Sequence, residues 1–247
     1  MLMYVITVLI ALALAFLCGS IPVALLIGKS MRGLDVREHG SGNAGSTNAI
    51  RVLGLGPGLL VFAGDVFKGA LGCAIVALAT GISIMIASTT ATQAAISLIQ
   101  AGSETLTYDP IVTIMASSQA SMLYDIPVAL AIVATVLGHM FSPFMSFKGG
   151  KGVATALGSI GVALPLAALC SLSVFIVVVL ICRYVSLGSI IAVITVPVFT
   201  ALFYPSPTFI VFTILVALVV IWAHRKNIVR LTKKEEPKFS FPKRHKT

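Results

Sequence analysis

Several polar stretches of this chain carry residue types that bind oxyanions. The first is Gly40-Ser41-Gly42-Asn43-Ala44-Gly45-Ser46-Thr47-Asn48-Ala49-Ile50-Arg51. Its small residues let the backbone come close to a ligand, Ser, Thr and Asn supply neutral donors, and Arg51 adds a bidentate fork. It leads towards a helix whose first N–H groups would favour an anion. A second string, GHMFSPFMSFKGGKGVAT from Gly138 to Thr155, sets Lys148 and Lys151 around the pair Gly149 and Gly150, just before an apolar run. Two ammonium groups and a helix N-terminus suit a phosphate dianion. His139 in this string reads equally as a packed anchor of a helix end or as a catalytic group. A third set joins Arg183–Ser189 to His224–Leu231, at the ends of two apolar runs. His224 and Asn227 are three apart, on one helical face. Ser186 and Ser189 read equally as helix-packing groups and as ligand contacts. Asp65 and Lys68 lie in or near the end of an apolar run, either as a functional pair or as an internal ion pair.

Other chemistry is missing. No His-x4-Asp pair of base and orienting acid exists, since Ala44 stands five positions after His39 and Phe144 five after His139. Gly28-Lys29-Ser30 imitates the end of a P-loop, but Val23 occupies the place of its first glycine. Cys18, Cys73, Cys170 and Cys182 lie in apolar runs without a CxxC pair and read as small hydrophobes. No metal-ligand cluster is visible, so neither metal nor cofactor is expected. What remains is a pocket with at least four cationic candidates and no evident protein nucleophile. It suits a phosphorylated substrate whose reaction partner comes from lipid or the membrane surface.

The elements that must hold this pocket are apolar. Of 247 residues, 58% are hydrophobic and 10% charged, with a mean hydropathy of +1.06. One membrane crossing needs roughly 20 apolar residues, so the composition allows about seven helices and excludes a large soluble domain, disorder or a disulfide scaffold. Candidate crossings run over 3–27, 59–86, 126–141, two within 153–182 with Pro165 near their connection, 190–203 and 209–223. The first lacks a basic n-region and reads as an uncleaved helix. Lys and Arg avoid residues 69–147 and cluster around the first polar string (Lys29, Arg32, Arg37 and Arg51), the second and third, and the C-terminus. The positive-inside rule then predicts an odd number of spans, with the N-terminus outside and the C-terminus cytoplasmic. The fold expected is therefore an all-α integral membrane bundle of seven helices. Residues 1–231 form the membrane domain, with a Ser/Thr/Ala-rich extracytoplasmic excursion at 83–125 that holds a short interfacial helix around 91–101. Residues 232–247 form a basic cytoplasmic tail. From Arg225 onward the chain holds nine of the 17 basic residues and +7 of the net charge of +9. Topology and anionic headgroups explain that charge, so no nucleic acid partner is needed.

The strings SGNAGSTNAIR and GHMFSPFMSFKGGKGVAT, with HRKNIVRL near the end, resemble the bacterial acyl-phosphate:glycerol-3-phosphate acyltransferase family, called PlsY. The likeness runs from about Gly19 to Leu231, apart from the excursion. It implies a seven-helix inner-membrane enzyme with its active site facing the cytoplasm. Such an enzyme moves a fatty acyl group from acyl phosphate to the 1-hydroxyl of glycerol 3-phosphate, giving lysophosphatidic acid for phospholipid synthesis. An acyl-phosphate-producing enzyme would act upstream. Residue by residue, the resemblance implies catalytic roles for Ser41, Arg51, Lys151, His224 and Asn227. It implies substrate and phosphate contacts from Asn43, Thr47, Asn48, Lys68, His139, Lys148, Gly149, Gly150, Thr155 and Ser189. The chain departs from the family in its length and in lacking the usual Gly after Arg230–Leu231, where Lys233-Lys234-Glu235-Glu236 stands. A transporter of phosphorylated metabolites would also want cations at helix ends. It predicts polar residues deep in several spans and a two-fold hydropathy repeat, and neither is visible.

Overall fold

Proline sets several of the helix ends. The computed structural model describes residues 2–100 and 110–239, and the regular structure among them is helical. The first helix, α1 (Leu2–Ser20), stops at Ile21–Pro22, where the proline brings no N–H, and α2 (Val23–Arg32) resumes beyond it. A loop leads to α3 (Ser46–Leu53), followed at once by α4 (Leu55–Gln100). Next come α5 (Pro110–Met140) and, after a 3-10 turn at Pro143–Met145, α6 (Val153–Ala163). Pro165 opens α7 (Pro165–Cys182) directly after α6, as its position in the sequence predicts. The chain continues through α8 (Val185–Phe203), α9 (Pro207–Ala223) and α10 (Arg225–Thr232), with a 60° bend between the last two.

Each expected apolar run is helical, with three differences. The first run is two helices rather than one, because a helix cannot bond through Pro22. The segment 83–125 is mostly an extension of α4 and α5, so the separate short helix expected around 91–101 does not form. Hydroxyls there bond back to their own helix, Ser83 to Ala79 O at 2.7 Å and Thr90 to Ile86 O at 2.9 Å. Such back-bonding lets a Ser/Thr-rich sequence stay helical without outside partners. The stretch 101–109 and the tail residues 240–247 lie outside the described residues. Finally, α6 has 11 residues and rises only about 17 Å, against roughly 30 Å for a hydrocarbon core. Among the described residues five spans are long and apolar enough to cross a membrane, six if bent α9–α10 counts as one.

The bundle is built around α5, which packs on α1, α4, α6 and α9 and buries Val128, Ile132 and Val136. Small residues bring the backbones together. A Cβ on Gly69 of α4 would collide with Thr155 O, and one on Gly158 of α6 with Val66 O. Ser159 on α6 shares a 2.6 Å hydrogen bond with Thr135 of α5 in the same dry layer. Outward faces are apolar, with Leu180 and Ile181 about three-quarters exposed, a surface that only lipid can cover. Gly158→Val should therefore separate α4 from α6 and cost about 2–3 kcal/mol, the upper range for overpacking. Thermal unfolding in detergent measures this, and an unchanged Tm would contradict the close crossing.

Candidate functional site

The first motif is shaped by one buried side chain. Asn48, on α3, is 2% exposed. Its Nδ2 donates to Val36 O at 2.7 Å and His39 O at 3.1 Å, and its Oδ1 accepts from Ser41 N at 2.8 Å. The amide that resemblance assigned to the ligand thus holds the loop instead. Beside it, Gly40 has φ +62° and no room for a Cβ, which would strike Asn48 Oδ1. Asp35 receives the Arg37 guanidinium at 2.7 Å, and Arg37 also donates to Met145 O at 3.1 Å, tying this loop to the second motif. Hydrogen bonding and the charge of Arg37 hold the Asp35 carboxyl below its ordinary range against the opposing effect of burial. Among the described residues, the side chains of Ser41, Asn43, Thr47 and Arg51 make no hydrogen bond, and Ser41 and Arg51 are exposed.

The second motif hangs from the end of α5. Gly149 N–H donates to Met140 O at 3.0 Å and Gly150 N–H to His139 O at 3.3 Å. These amides cap α5. A Cβ on either would collide with His139, at its carbonyl for Gly149 and at its ring for Gly150. Gly150 also lies against Ala44 O, so the first and second motifs meet there. Lys68 is enclosed within the helices. It is 2% exposed and bonds Asp65 Oδ1 at 2.8 Å and Ile21 O at 2.8 Å. His139 Nδ1 lies 3.5 Å from the same Asp65 oxygen. Asp65 and Lys68 thus form a buried ion pair, and His139 is packed against it. Lys148 remains exposed, with no side-chain hydrogen bond among the described residues.

The third motif completes a polar cluster. Lys151 Nζ donates to Asn227 Oδ1, and Asn227 Nδ2 donates to Glu236 Oε1 at 2.7 Å. Glu236 Oε2 accepts from Arg230 Nε at 2.7 Å. Burial lowers Lys151 to about 8, the nearby Glu236 carboxylate opposing and Arg230 reinforcing the shift. At Glu236 burial favours the acid form, but the hydrogen bonds from Arg230 and Asn227 and the charge of Arg230 outweigh it and keep the carboxyl below its ordinary value. His224, 2% exposed, has Nδ1 2.8 Å from Val220 O. A carbonyl only accepts, so Nδ1 carries the hydrogen and Nε2 the lone pair in the neutral ring. Sequence reasoning missed Glu236. Its signal is an acid six residues after Arg230 in a basic tail, and the segment read as a separate tail contributes to the site at that point. Two expected ligands sit apart. Thr155 is fully buried where α6 crosses α4, and Ser189 bonds Val185 O at 2.9 Å. Ser189 lines a half-open apolar pocket with Val153, Leu157, Leu172 and Phe175.

The turn that carries Glu236 back has a left-handed residue, Lys234 at φ 58°, with Glu235 N–H donating to Arg230 O at 2.8 Å. A non-glycine residue in this conformation costs roughly 1–2 kcal/mol. Lys234→Gly should raise stability by about 1 kcal/mol and increase Tm, as thermal unfolding in detergent would show.

This chain is similar to known proteins along almost its whole length. The family model described as Glycerol-3-phosphate acyltransferase matches residues 9–101 and 98–234. A protein named glycerol-3-phosphate acyltransferase from Geobacillus kaustophilus is 36% identical over 233 residues, covering 94% of this chain and 95% of its own. One of the same name from Bacillus subtilis is 36% identical over 225 residues, covering 91% and 94%. The crystal structure of PlsY (YgiH), an integral membrane glycerol 3-phosphate acyltransferase in its glycerol 3-phosphate form, superposes with a TM-score of 0.72 at 31% identity, covering 94% of this chain and 96% of that one. Its lysophosphatidic acid form gives 0.70. With three polar motifs drawn to one end of a helical bundle, and relatives matched along almost their whole length, this chain belongs to the glycerol-3-phosphate acyltransferase family.

Proposed function

We propose that this chain is a multi-pass membrane enzyme that transfers a fatty acyl group from acyl phosphate to the 1-hydroxyl of glycerol 3-phosphate. The products are lysophosphatidic acid and inorganic phosphate, in the service of phospholipid synthesis. The observation that carries the reading is the junction at Lys151. Its ammonium is held by Asn227, within electrostatic reach of His224, on a strand that touches the first motif through Gly150 and Ala44. Arg51 and Lys148 supply further cations with no partner among the described residues. These groups hold the phosphates of donor and acceptor, while Ser41, Asn43 and Thr47 offer donors to the developing oxyanion. Acyl phosphate is already an activated anhydride, so proximity and charge stabilisation carry most of the barrier. The 1-hydroxyl oxygen bonds to the acyl carbon, the acyl carbon–phosphate oxygen bond breaks, and inorganic phosphate leaves with the electron pair. The hydroxyl proton passes to a phosphate oxygen of the donor, with His224 Nε2 as the rival base.

The proposed topology counts α1, α4, α5, α6, α7, α8 and α9 as seven segments of the bacterial cytoplasmic membrane. The N-terminus is outside, and the motifs and C-terminus are cytoplasmic, as the distribution of Lys and Arg favours. An acyl-phosphate-producing enzyme acts upstream. The transporter reading gains nothing, since the ionisable groups buried in the spans, Asp65, Lys68 and His139, are packed against one another.

Purified protein incubated with acyl phosphate and glycerol 3-phosphate should form lysophosphatidate, and acyl-CoA in a parallel reaction should not replace the donor. Lys151→Ala and Arg51→Ala should each lose about 2–4 kcal/mol of transition-state stabilisation, the scale of an oxyanion-hole deletion. Near-normal turnover in both would overturn the site. Retention of most of kcat by His224→Ala assigns the proton to the donor phosphate, whereas a loss of about 10²–10⁴ assigns it to Nε2. Lys151 is cationic below its pKa of about 8 and neutral above it. Accordingly kcat/KM should fall as pH rises through that value, and Lys151→Arg should remove the fall.

A further inference from the structure

Ionisable groups inside membrane helices are costly, so Asp65, Lys68 and His139 need a reason to be there. Asp65 and Lys68 stand three apart on α4, each 2% exposed, and Lys68 ties α4 to the break between α1 and α2 through Ile21 O. A brace between those helices would need no more than that pair. The third member points elsewhere. His139 Nδ1 lies 3.5 Å from the Asp65 carboxylate, facing it without a hydrogen bond and buried with no other partner among the described residues, so the ring is packed against the ion pair. The opposite edge of the ring, at Nε2, abuts Gly150, while His139 O accepts from Gly150 N–H at 3.3 Å. Lys151 is the next residue. Gly150 also rests against Ala44 O, so the strand is clamped between an imidazole and the first motif. We infer that Asp65 and His139 are positioning residues. The buried Lys68–Asp65–His139 network sets the height of the Gly149–Gly150 strand, and so places Lys151 against Asn227 and the first motif. The inference rests on the role proposed above for Lys151.

Removing Asp65 alone would strand the Lys68 cation in an apolar layer, so the test removes both charges together. Asp65→Leu/Lys68→Met takes away the carboxylate that faces His139 Nδ1. Asp65→Asn/Lys68→Met keeps a polar group there. His139→Leu leaves the ion pair whole and serves if the first variant does not fold. Three quantities are read: Tm in detergent, kcat and KM for glycerol 3-phosphate, and the pH dependence of Lys151 acylation by an amine-specific reagent. The last needs no turnover and reports the surroundings of Lys151, namely Asn227, His224, Arg230 and Glu236. In folded Asp65→Leu/Lys68→Met and His139→Leu, kcat should fall about 10–100-fold, as when an orienting partner is lost, with KM nearly constant. The Lys151 acylation midpoint should rise from about 8 towards that of an ordinary lysine. Asp65→Asn/Lys68→Met should restore both. Folded Leu variants with unchanged kcat and an unchanged acylation midpoint would overturn the inference. So would a rise in KM alone, which would make His139 a ligand contact. A wild-type protein that forms no lysophosphatidate would instead overturn the proposed function, and the acylation profile would still report on the network.

Discussion

The carbonyl oxygens of Ser20 and Ile21 stand where the first helix breaks, in an apolar frame that offers no water to bond them. Each accepts from a side chain in a distant part of the sequence, Ser142 Oγ for Ser20 O at 2.6 Å and Lys68 Nζ for Ile21 O at 2.8 Å, with Val23 N–H sharing Ile21 O at 3.0 Å. That demand propagates. An ammonium group in this layer requires a carboxylate, so Asp65 must be there. The carboxylate has a further side, which meets the imidazole of His139, and the imidazole meets the strand that carries Lys151. A proline in the first apolar run is thus connected to the chemistry of the second motif by hydrogen bonding and packing.

The opposite flank of Lys151 follows the same rule with the charge reversed. Asn227 can offer Oδ1 to the ammonium because its Nδ2 is engaged by Glu236, and Glu236 is neutralised by Arg230. The lysine is thereby held by Asn227, while burial reduces its affinity for a proton. Around it, the side chains of Arg51, Lys148, Ser41, Asn43 and Thr47 make no hydrogen bond among the described residues. A site of this kind is rigid where it must position and open where it must bind phosphate.

Much of the frame was legible in the sequence because hydrophobic runs report burial or lipid contact without any knowledge of neighbours. The positions of the helices, the turn at Pro165 and the grouping of the motifs near one end were all read that way. The excursion was misread. Ser and Thr lower helix propensity on average, yet their hydroxyls can bond the preceding turn, and α4 and α5 run on through much of it. The role of Asn48 was misread for a different reason. An amide in a Gly/Ser/Asn string looks like a ligand group, and only the path of the loop shows three backbone groups converging on it. Gly149 and Gly150 looked like a phosphate cradle, and in the structure their amides cap α5.

By itself the sequence determined the composition of the site and its setting: a helical membrane frame, three polar strings in a recognisable order, and cations concentrated near one side. These are properties of residue type and local period, which survive without coordinates. Which cations are free and which are neutralised was decided only by the tertiary structure. Lys68 and Lys151 carry the same group, but one is locked to a carboxylate and a carbonyl while the other faces an amide at the meeting of three motifs. The difference lies in partners brought from residues 21, 65 and 227, and no spacing within a motif encodes the distance between separate helices.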